Sequence, residues 1–466
     1  MGQKIRQRNA TKKENLEKNS GVEKNGLQNV PKRGRASYFK FFFVTAGITL
    51  LLQQYGPDVV HRIFFRRNIV PARSDYYILR DIWTDEDIHN LIDYVKDLRE
   101  FPTTASDLTS VSEHIGEAAP FDEKGQCPFL LVPNQNHSEC ILPSRIDVAQ
   151  HFLKYGGRDC LKELYPSLSS RLQGFAGFIF DSLNSSVLDR LFKSQQYKDA
   201  ATASCGGMTV FDPIQLGIIV LLPGQTVAMH YDVPWYWGAT RFNIPQWLLI
   251  AMESSGLFEN IRVRQSQGVA YLHKWLNHEK DGGGFYFYPK GTGGRAEIVP
   301  AEFNTGLVLD GSVLIHGVNT YQPKKLPPII NPSDKNSLVY AGDDFWQLKA
   351  NDEIIALYKT SDLRISLVWR SRCFESQEMK QKWADYKDKI DVQDVLKVLK
   401  DDMKLKGISN VDYLPPLDLA LKILDTYVVY PVEKCSIFPW NYCMLSKIVP
   451  TSVSGFINSL LTPICA

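Results

Sequence analysis

Two histidines and one aspartate, His230, Asp232 and His316, are the residues of this chain best placed to do chemistry. The first two lie in Pro223-Gly224-Gln225-Thr226-Val227-Ala228-Met229-His230-Tyr231-Asp232. In an extended segment residues i and i+2 project to the same face, so this pair can hold one metal ion from a single strand end. With nine histidines in the chain, one H-x-D is expected by chance, and a third ligand must come from a later strand. Asp310-Gly311-Ser312-Val313-Leu314-Ile315-His316-Gly317-Val318 supplies it: Asp-Gly signals a turn, Val313 to Ile315 an apolar strand, and His316 ends it. Two imidazoles and one carboxylate on a triangular face leave the opposite positions open, the arrangement of non-haem iron(II) centres.

A co-substrate such as 2-oxoglutarate that chelates such a centre has a second carboxylate, which needs a fixed, charged, two-pronged partner. That requirement favours arginine over lysine. Arg364-Ile365-Ser366 opens an apolar strand and puts the guanidinium and a hydroxyl on one face. Trp235-Tyr236-Trp237, directly after the ligand pair, is read either as a substrate wall or as a packed turn. Taken singly, each histidine is better read as a satisfied core or loop residue, and Asp232 as the cap of a Val233-Pro234 turn. His137-Ser138-Glu139 is a decoy in a polar loop, and His273 is read as an ordinary strand edge.

These residues need a scaffold of short strands. From Asp75 the pattern is globular: Tyr76 to Trp83 reads as a strand, and Thr84 with Asp87 opens a helix as a capping box. Residues 106–137 read as a long loop and 146–197 as helical. From Leu216 the segments 216–222, 226–231, 246–253, 268–273, 284–288, 306–309 and 312–316 read as strands between glycines and prolines. Arg364 to Arg370 reads as one more. Such spacing predicts an antiparallel sandwich or barrel. Residues 320–360 form a Pro- and Asp-containing excursion, and a charged helical segment begins at Glu375.

The order H-x-D, Gly283-Gly284-Phe285-Tyr286-Phe287, Gly306 to Ser312, His316 and R-x-S resembles the 2-oxoglutarate/iron(II) dioxygenase superfamily, most of all its prolyl hydroxylase-like branch. The resemblance covers about Ser74 to Phe374. It implies an α+β fold with a double-stranded β-helix (jelly-roll) core and flanking helices, iron(II) on His230, Asp232 and His316, and 2-oxoglutarate held by Arg364 and Ser366. Molecular oxygen would be the third reactant. The step from His316 to Arg364 is longer than that family usually shows. An insertion at 321–362 accounts for it, because loops tolerate length, and it leaves Arg370 and Arg295 as alternative anchors.

The remaining segments bear on location. Residues 1–37 are rich in Lys, Arg, Asn and Gln and poor in apolar residues, which predicts a disordered basic tail. Phe41 to Leu52 is apolar and, extended to 38–55 with Tyr at both ends, approaches spanning length. The expected organisation is a single-pass type II membrane protein with its oxygenase domain (74–374) and a helical C-terminal extension (375–466) in the endoplasmic reticulum or Golgi lumen. Eight cysteines show no zinc spacing; Cys127/Cys140 and Cys435/Cys443 are close enough in sequence to pair, and Asn136 and Asn184 open glycosylation triplets. No downstream nucleic-acid reading module accompanies the basic tail, so no nucleic-acid partner is expected. The expected activity is hydroxylation of a protein or other secretory-pathway substrate. The rivals are a membrane-tethered binding barrel with a vestigial metal site and a cupin-like metalloenzyme that uses no 2-oxoglutarate.

Overall fold

The computed structural model describes residues 75–104, 115, 119–123, 125–134, 136–179, 191–275 and 277–465, with a few positions between 47 and 59. The expected tail, most of the expected anchor and Asn184 lie outside them. Among the described residues no helix is long and apolar enough to cross a membrane.

Three antiparallel sheets of four or more strands organise the described residues, beside two two-stranded ribbons. The strands are β1 (Tyr76–Arg80), β2 (Glu100–Pro102), β3 (Phe175–Ile179), β4 (Val210–Leu221), β5 (Val227–His230), β6 (Gln265–Tyr271), β7 (Phe285–Phe287), β8 (Glu297–Val299), β9 (Thr305–Leu309), β10 (His316–Val318), β11 (Asn336–Gly342), β12 (Phe345–Ala350), β13 (Glu353–Lys359) and β14 (Arg364–Phe374). The major sheet runs β1-β9-β6-β14-β4-β3, the minor sheet β8-β7-β10-β5, and a third sheet β13-β12-β11-β2. Val269, Leu307 and Val368 of the major sheet pack against Phe285 and Phe287 of the minor one, so the two face each other across a shared interior. This is an α+β arrangement of antiparallel sheets consistent with a jelly-roll.

Helices cover the outer faces. Helix α1 (Asp85–Asp97) carries the expected capping box, with Thr84 and Asp87 bonding each other's backbone. Its Ile88, Leu91 and Val95 join Ile218, Val220, Ile365, Leu367 and Trp369 on the outer side of the major sheet. Period-2 alternation along β14 thus sends 365, 367 and 369 outward and 364, 366, 368 and 370 inward. Helices α2 (Ile146–Tyr155), α3 (Tyr165–Leu172) and α4 (Gln195–Ser204) follow the expected helical stretch, which also hides β3.

Three expectations are corrected here. Gln246–Ser255 is a helix (α5), buried on all sides from Gln246 to Glu253 and ended by a left-handed Gly256. An apolar run buried all round has no amphipathic period to distinguish it from a strand. Residues 312–315 form a turn built on Asp310, whose side chain accepts from the Ser312 backbone, and the strand begins only at His316. The insertion is a regular meander, β11 to β13. Its two-residue turns, Asp343-Asp344 and Asn351-Asp352, have positive φ at both positions, the geometry that suits hairpin twist. Trp346 anchors it, fully buried against Phe101 and Tyr340.

The C-terminal extension shares the core. Helices α6 (Gln377–Asp385), α7 (Val392–Leu405) and α8 (Pro416–Tyr427) follow β14. Val395, Leu399, Ile423 and Leu424 pack with α5 and with Met229, Tyr286 and Ile315 behind the minor sheet. The disulfides are Cys127–Cys140, as expected, and Cys160–Cys435, Cys205–Cys373 and Cys443–Cys465, which replaces the expected Cys435/Cys443 pair. Cysteines close in sequence need not meet when the chain between them turns away, and Cys435 faces the α2–α3 connection instead.

Candidate active site

Antiparallel pairing of β10 with β5 puts His316 directly opposite His230. Asp232 follows two residues after His230, and its backbone N–H donates to Gly311 O at 2.8 Å, tying the two ligand-bearing segments together. The three side chains offer ligand atoms all within 4.8 Å of one another. His230 Nε2 lies 3.7 Å from one Asp232 oxygen and His316 Nε2 lies 3.5 Å from the other. Each imidazole donates Nδ1–H to the carbonyl two residues before it, Ala228 and Leu314 respectively, both at 2.8 Å. Those bonds fix the tautomer that leaves Nε2 as an acceptor aimed at the shared point. Burial, and then His230, push His316 down to about 4, so it is neutral as a ligand must be.

The residues fit a divalent metal on two further observations. Asp232 Oδ2 is buried and makes no hydrogen bond among the described residues, an orphan that a cation would satisfy. At Gly311 a Cβ would stand 2.1 Å from that oxygen, so only glycine leaves the approach open. The other Asp232 oxygen accepts from Arg370 Nη2. Burial alone would raise the Asp232 carboxyl; the Arg370 guanidinium and both imidazoles hold it well below the usual range.

A cavity of about 300 Å³ between the sheets takes in all three residues together with Arg364, Ser366, Val368 and Arg370 of the inward face of β14. Arg364 is fully buried. Its Nε donates to Gly283 O at 2.8 Å and Nη1 to Ser366 Oγ at 3.3 Å, while Nη2 has no partner among the described residues. Its guanidinium lies 5.2 Å from the centre of the buried Tyr271 ring. Burial pushes Arg364 down from its ordinary value. A buried guanidinium held by neutral groups is costly unless an anion joins it. This pocket fits the distal carboxylate of a dicarboxylate. Gly283, at φ 69, lets the chain pass Arg364 where a Cβ would lie 2.9 Å from Cδ.

The alternative anchors are placed elsewhere. Arg370 serves Asp232, and Arg295 is exposed and does not line the cavity. Trp235, Tyr236 and Trp237 do not line it either, which corrects the substrate-wall reading. Trp235 and Trp237 pack on Trp383 of α6, and Tyr236 is buried with its hydroxyl donating to Glu253. The two tryptophan rings are spent covering α6, an otherwise exposed helix. His137 is exposed. His273 is no strand edge: it is buried beside Arg364 with both ring nitrogens unpartnered among the described residues, and burial together with that cation pushes it down to about 3.

Sequence reasoning missed the support around the ligands. Arg145 chelates Asp147 through Nε and Nη2 at 3.0 and 2.8 Å and reaches Tyr231 O at 3.0 Å, one residue before Asp232. Tyr430, from the C-terminal extension, donates to the same Asp147 at 2.6 Å. Nothing in the local sequence signals a contact between residues 147 and 430. Arg370 was legible only as a second inward arginine on β14.

Arg370 is a positioning residue, and its removal has a defined expected result. In Arg370→Met the metal-free protein carries Asp232 as a buried, unpaired charge and loses about 3 kcal/mol of stability. Metal affinity falls about 10–100-fold, as when other outer partners of ligands are lost. Thermal melts with and without iron(II) check both: added metal should recover much of the lost stability.

No known sequence family matches the chain, and no curated protein matches its sequence. Solved structures do. A prolyl-4-hydroxylase from Pseudomonas putida is 11% identical, with 65% of this chain and 94% of that one covered and a TM-score of 0.28. A prolyl hydroxylase from Trichoplax adhaerens, solved with a hypoxia inducible factor peptide, is 10% identical, with 72% and 96% covered and a TM-score of 0.30. A viral collagen prolyl hydroxylase from Paramecium bursaria Chlorella virus-1, solved with 2-oxoglutarate, is 9% identical, with 64% and 96% covered and a TM-score of 0.28.

Proposed function

We propose that this protein is an iron(II)- and 2-oxoglutarate-dependent dioxygenase that hydroxylates a protein or other secretory-pathway substrate. One observation carries the reading: the His230–Asp232–His316 cluster and Arg364, whose Nη2 makes no hydrogen bond among the described residues, line the same cavity. Iron(II) with 2-oxoglutarate and oxygen supplies oxidation of an unactivated C–H bond, with release of succinate and carbon dioxide.

The chain's own residues do the positioning. His230 and His316 present Nε2, held by their Nδ1 bonds, and Asp232 presents Oδ2 while Arg370 occupies its other oxygen. Arg364 and Ser366 receive the distal carboxylate, fixing the co-substrate's reach toward the ligand cluster. The apolar lining, including Ile219, Val318, Phe285 and Val368, excludes bulk water from the reacting end.

The secretory setting belongs to the same proposal. It is supported by four disulfides, with no free cysteine among the described residues, and by the exposed Asn136 triplet. In this reading 38–55 anchors the chain and the catalytic domain is lumenal.

Succinate formation by the protein with iron(II), 2-oxoglutarate and oxygen tests the activity, since turnover without a prime substrate is expected to be slow but measurable. Iron-dependent release from the wild type supports the oxygenase. A folded protein that binds neither iron nor 2-oxoglutarate sinks it and leaves the non-catalytic barrel.

A further inference from the structure

Beyond the catalytic core lies an amphipathic helix with its apolar face uncovered, α9 (Thr451–Leu461). From Ile448 to Ala466 the sequence has no charged side chain. At about 100° per residue, Val453, Phe456, Ile457, Leu460 and Leu461 fall within about 140° of the helical wheel. Gly455, Asn458, Ser459 and Thr462 take the opposite side, and Ile464 continues the apolar stripe just past the helix. In a core helix such a stripe is buried. Here Phe456 is 68% exposed, Leu460 53% and Val453 44%. A contiguous apolar surface of this kind marks an interaction site.

Its neighbours point to a lipid bilayer as the cover. The chain leaves the apolar segment proposed above as the anchor at Tyr55, which is exposed. Gly56, the next residue, is buried against Ile437, where a Cβ would meet Cγ1 at 3.2 Å. Phe438, beside Ile437, is exposed. The stretch from Cys435 to Cys465 is fastened to the α2–α3 connection and to the start of α3. Cys160 bridges to Cys435, Lys162 donates to the Trp440 carbonyl at 3.0 Å, and Lys447 lies over the Tyr165 ring. Cys443 then bridges to Cys465, which ties down the far end of α9. The exit of the anchor and the exposed stripe thus belong to one patch. We propose that α9 lies in the membrane interface with its apolar face at the headgroup–acyl boundary, holding the catalytic domain against the bilayer. This inference rests on the reading of 38–55 as an anchor. The uncharged polar face sets the lipid class. Apolar area drives insertion rather than attraction to anionic headgroups, so a phosphatidylcholine bilayer suffices and salt has no effect.

The full-length protein reconstituted in phosphatidylcholine vesicles provides the test. The eight native cysteines are all paired, so a fluorophore on Leu460→Cys or on Asn458→Cys reports a single position. Interfacial helices sink only about 5–10 Å. Lipids brominated near the headgroup end of the acyl chain should therefore quench the probe at 460 strongly and the probe at 458 little, alike at low and high salt. A probe on Val453→Cys should be quenched in the native sequence and lose that quenching with Phe456→Ser/Leu460→Ser, a change confined to exposed side chains. Resistance to carbonate extraction from the same vesicles reports the anchor separately. Quenching at 460 in an extractable protein would remove the anchor and leave α9 as a peripheral membrane helix. No quenching at 460, equal quenching at 458 and 460, or quenching lost in high salt would each overturn the assignment of α9. A probe at 460 shielded equally in lipid-free detergent, with a dimer in light scattering, would give the stripe to a second copy of the chain instead.

Discussion

Arg364→Leu is expected to abolish 2-oxoglutarate binding while iron(II) binding is retained. The guanidinium is fully buried, its Nη2 has no partner among the described residues, and its Nε and Nη1 bonds go to neutral acceptors, Gly283 O and Ser366 Oγ. A distal carboxylate arriving there gains a charge-assisted contact in a buried site. Truncating one partner of such a pair costs about 2–5 kcal/mol, or roughly 30- to 5,000-fold in Kd. The folded state should tolerate the change, because it removes an uncompensated buried charge and leaves an apolar side chain of smaller size. Anaerobic titration of the iron-loaded protein with 2-oxoglutarate measures the effect. Arg364→Lys keeps the charge but loses the fork and should recover only part of the affinity. Unchanged 2-oxoglutarate binding in Arg364→Leu would remove this anchor, and a turnover indifferent to it would favour a metalloenzyme that uses no 2-oxoglutarate.

How much of this site could be read from the chain depends on the range over which each signal acts. The i, i+2 rule places His230 and Asp232 on one face without knowledge of the fold, and the alternation of β14 gives Arg364, Ser366 and Arg370 a common side. The meeting of His316 with His230 needs the β10–β5 register, which only the motif order suggested. Which inward arginine serves the co-substrate and which serves Asp232 is set by position along β14, and no local pattern encodes it. The Arg145–Asp147–Tyr430 chain lies further out of reach, since it joins residues brought together by the C-terminal helices packing behind the minor sheet. The misread elements fail for local reasons. α5 is apolar all round, and Asp343-Asp344 and Asn351-Asp352 lack the glycine that usually marks a two-residue hairpin turn. In both cases burial or the twist of the sheet outweighed the weak local preference.

His230→Ala should separate a metal ligand from a structural histidine. The side chain is 15% exposed, donates locally to Ala228 O and otherwise faces Asp232 at 3.7 Å, so the metal-free fold should be nearly indifferent to its loss. Iron affinity should drop by more than the 10–100-fold that follows loss of an outer partner, because a direct donor is gone. Wild-type protein at iron(II) about 100 times its Kd should gain about 2.7 kcal/mol from binding, and its Tm should rise accordingly. The variant should show the same melting without metal and almost no rise with it. Asp232→Ala is the contrasting case. It also removes a ligand, but it strands the Arg370 guanidinium in the interior and should lower the metal-free Tm as well. If His230→Ala instead melted early without metal and still rose in Tm with iron, the histidine would be a packing residue and the cluster would need another third ligand.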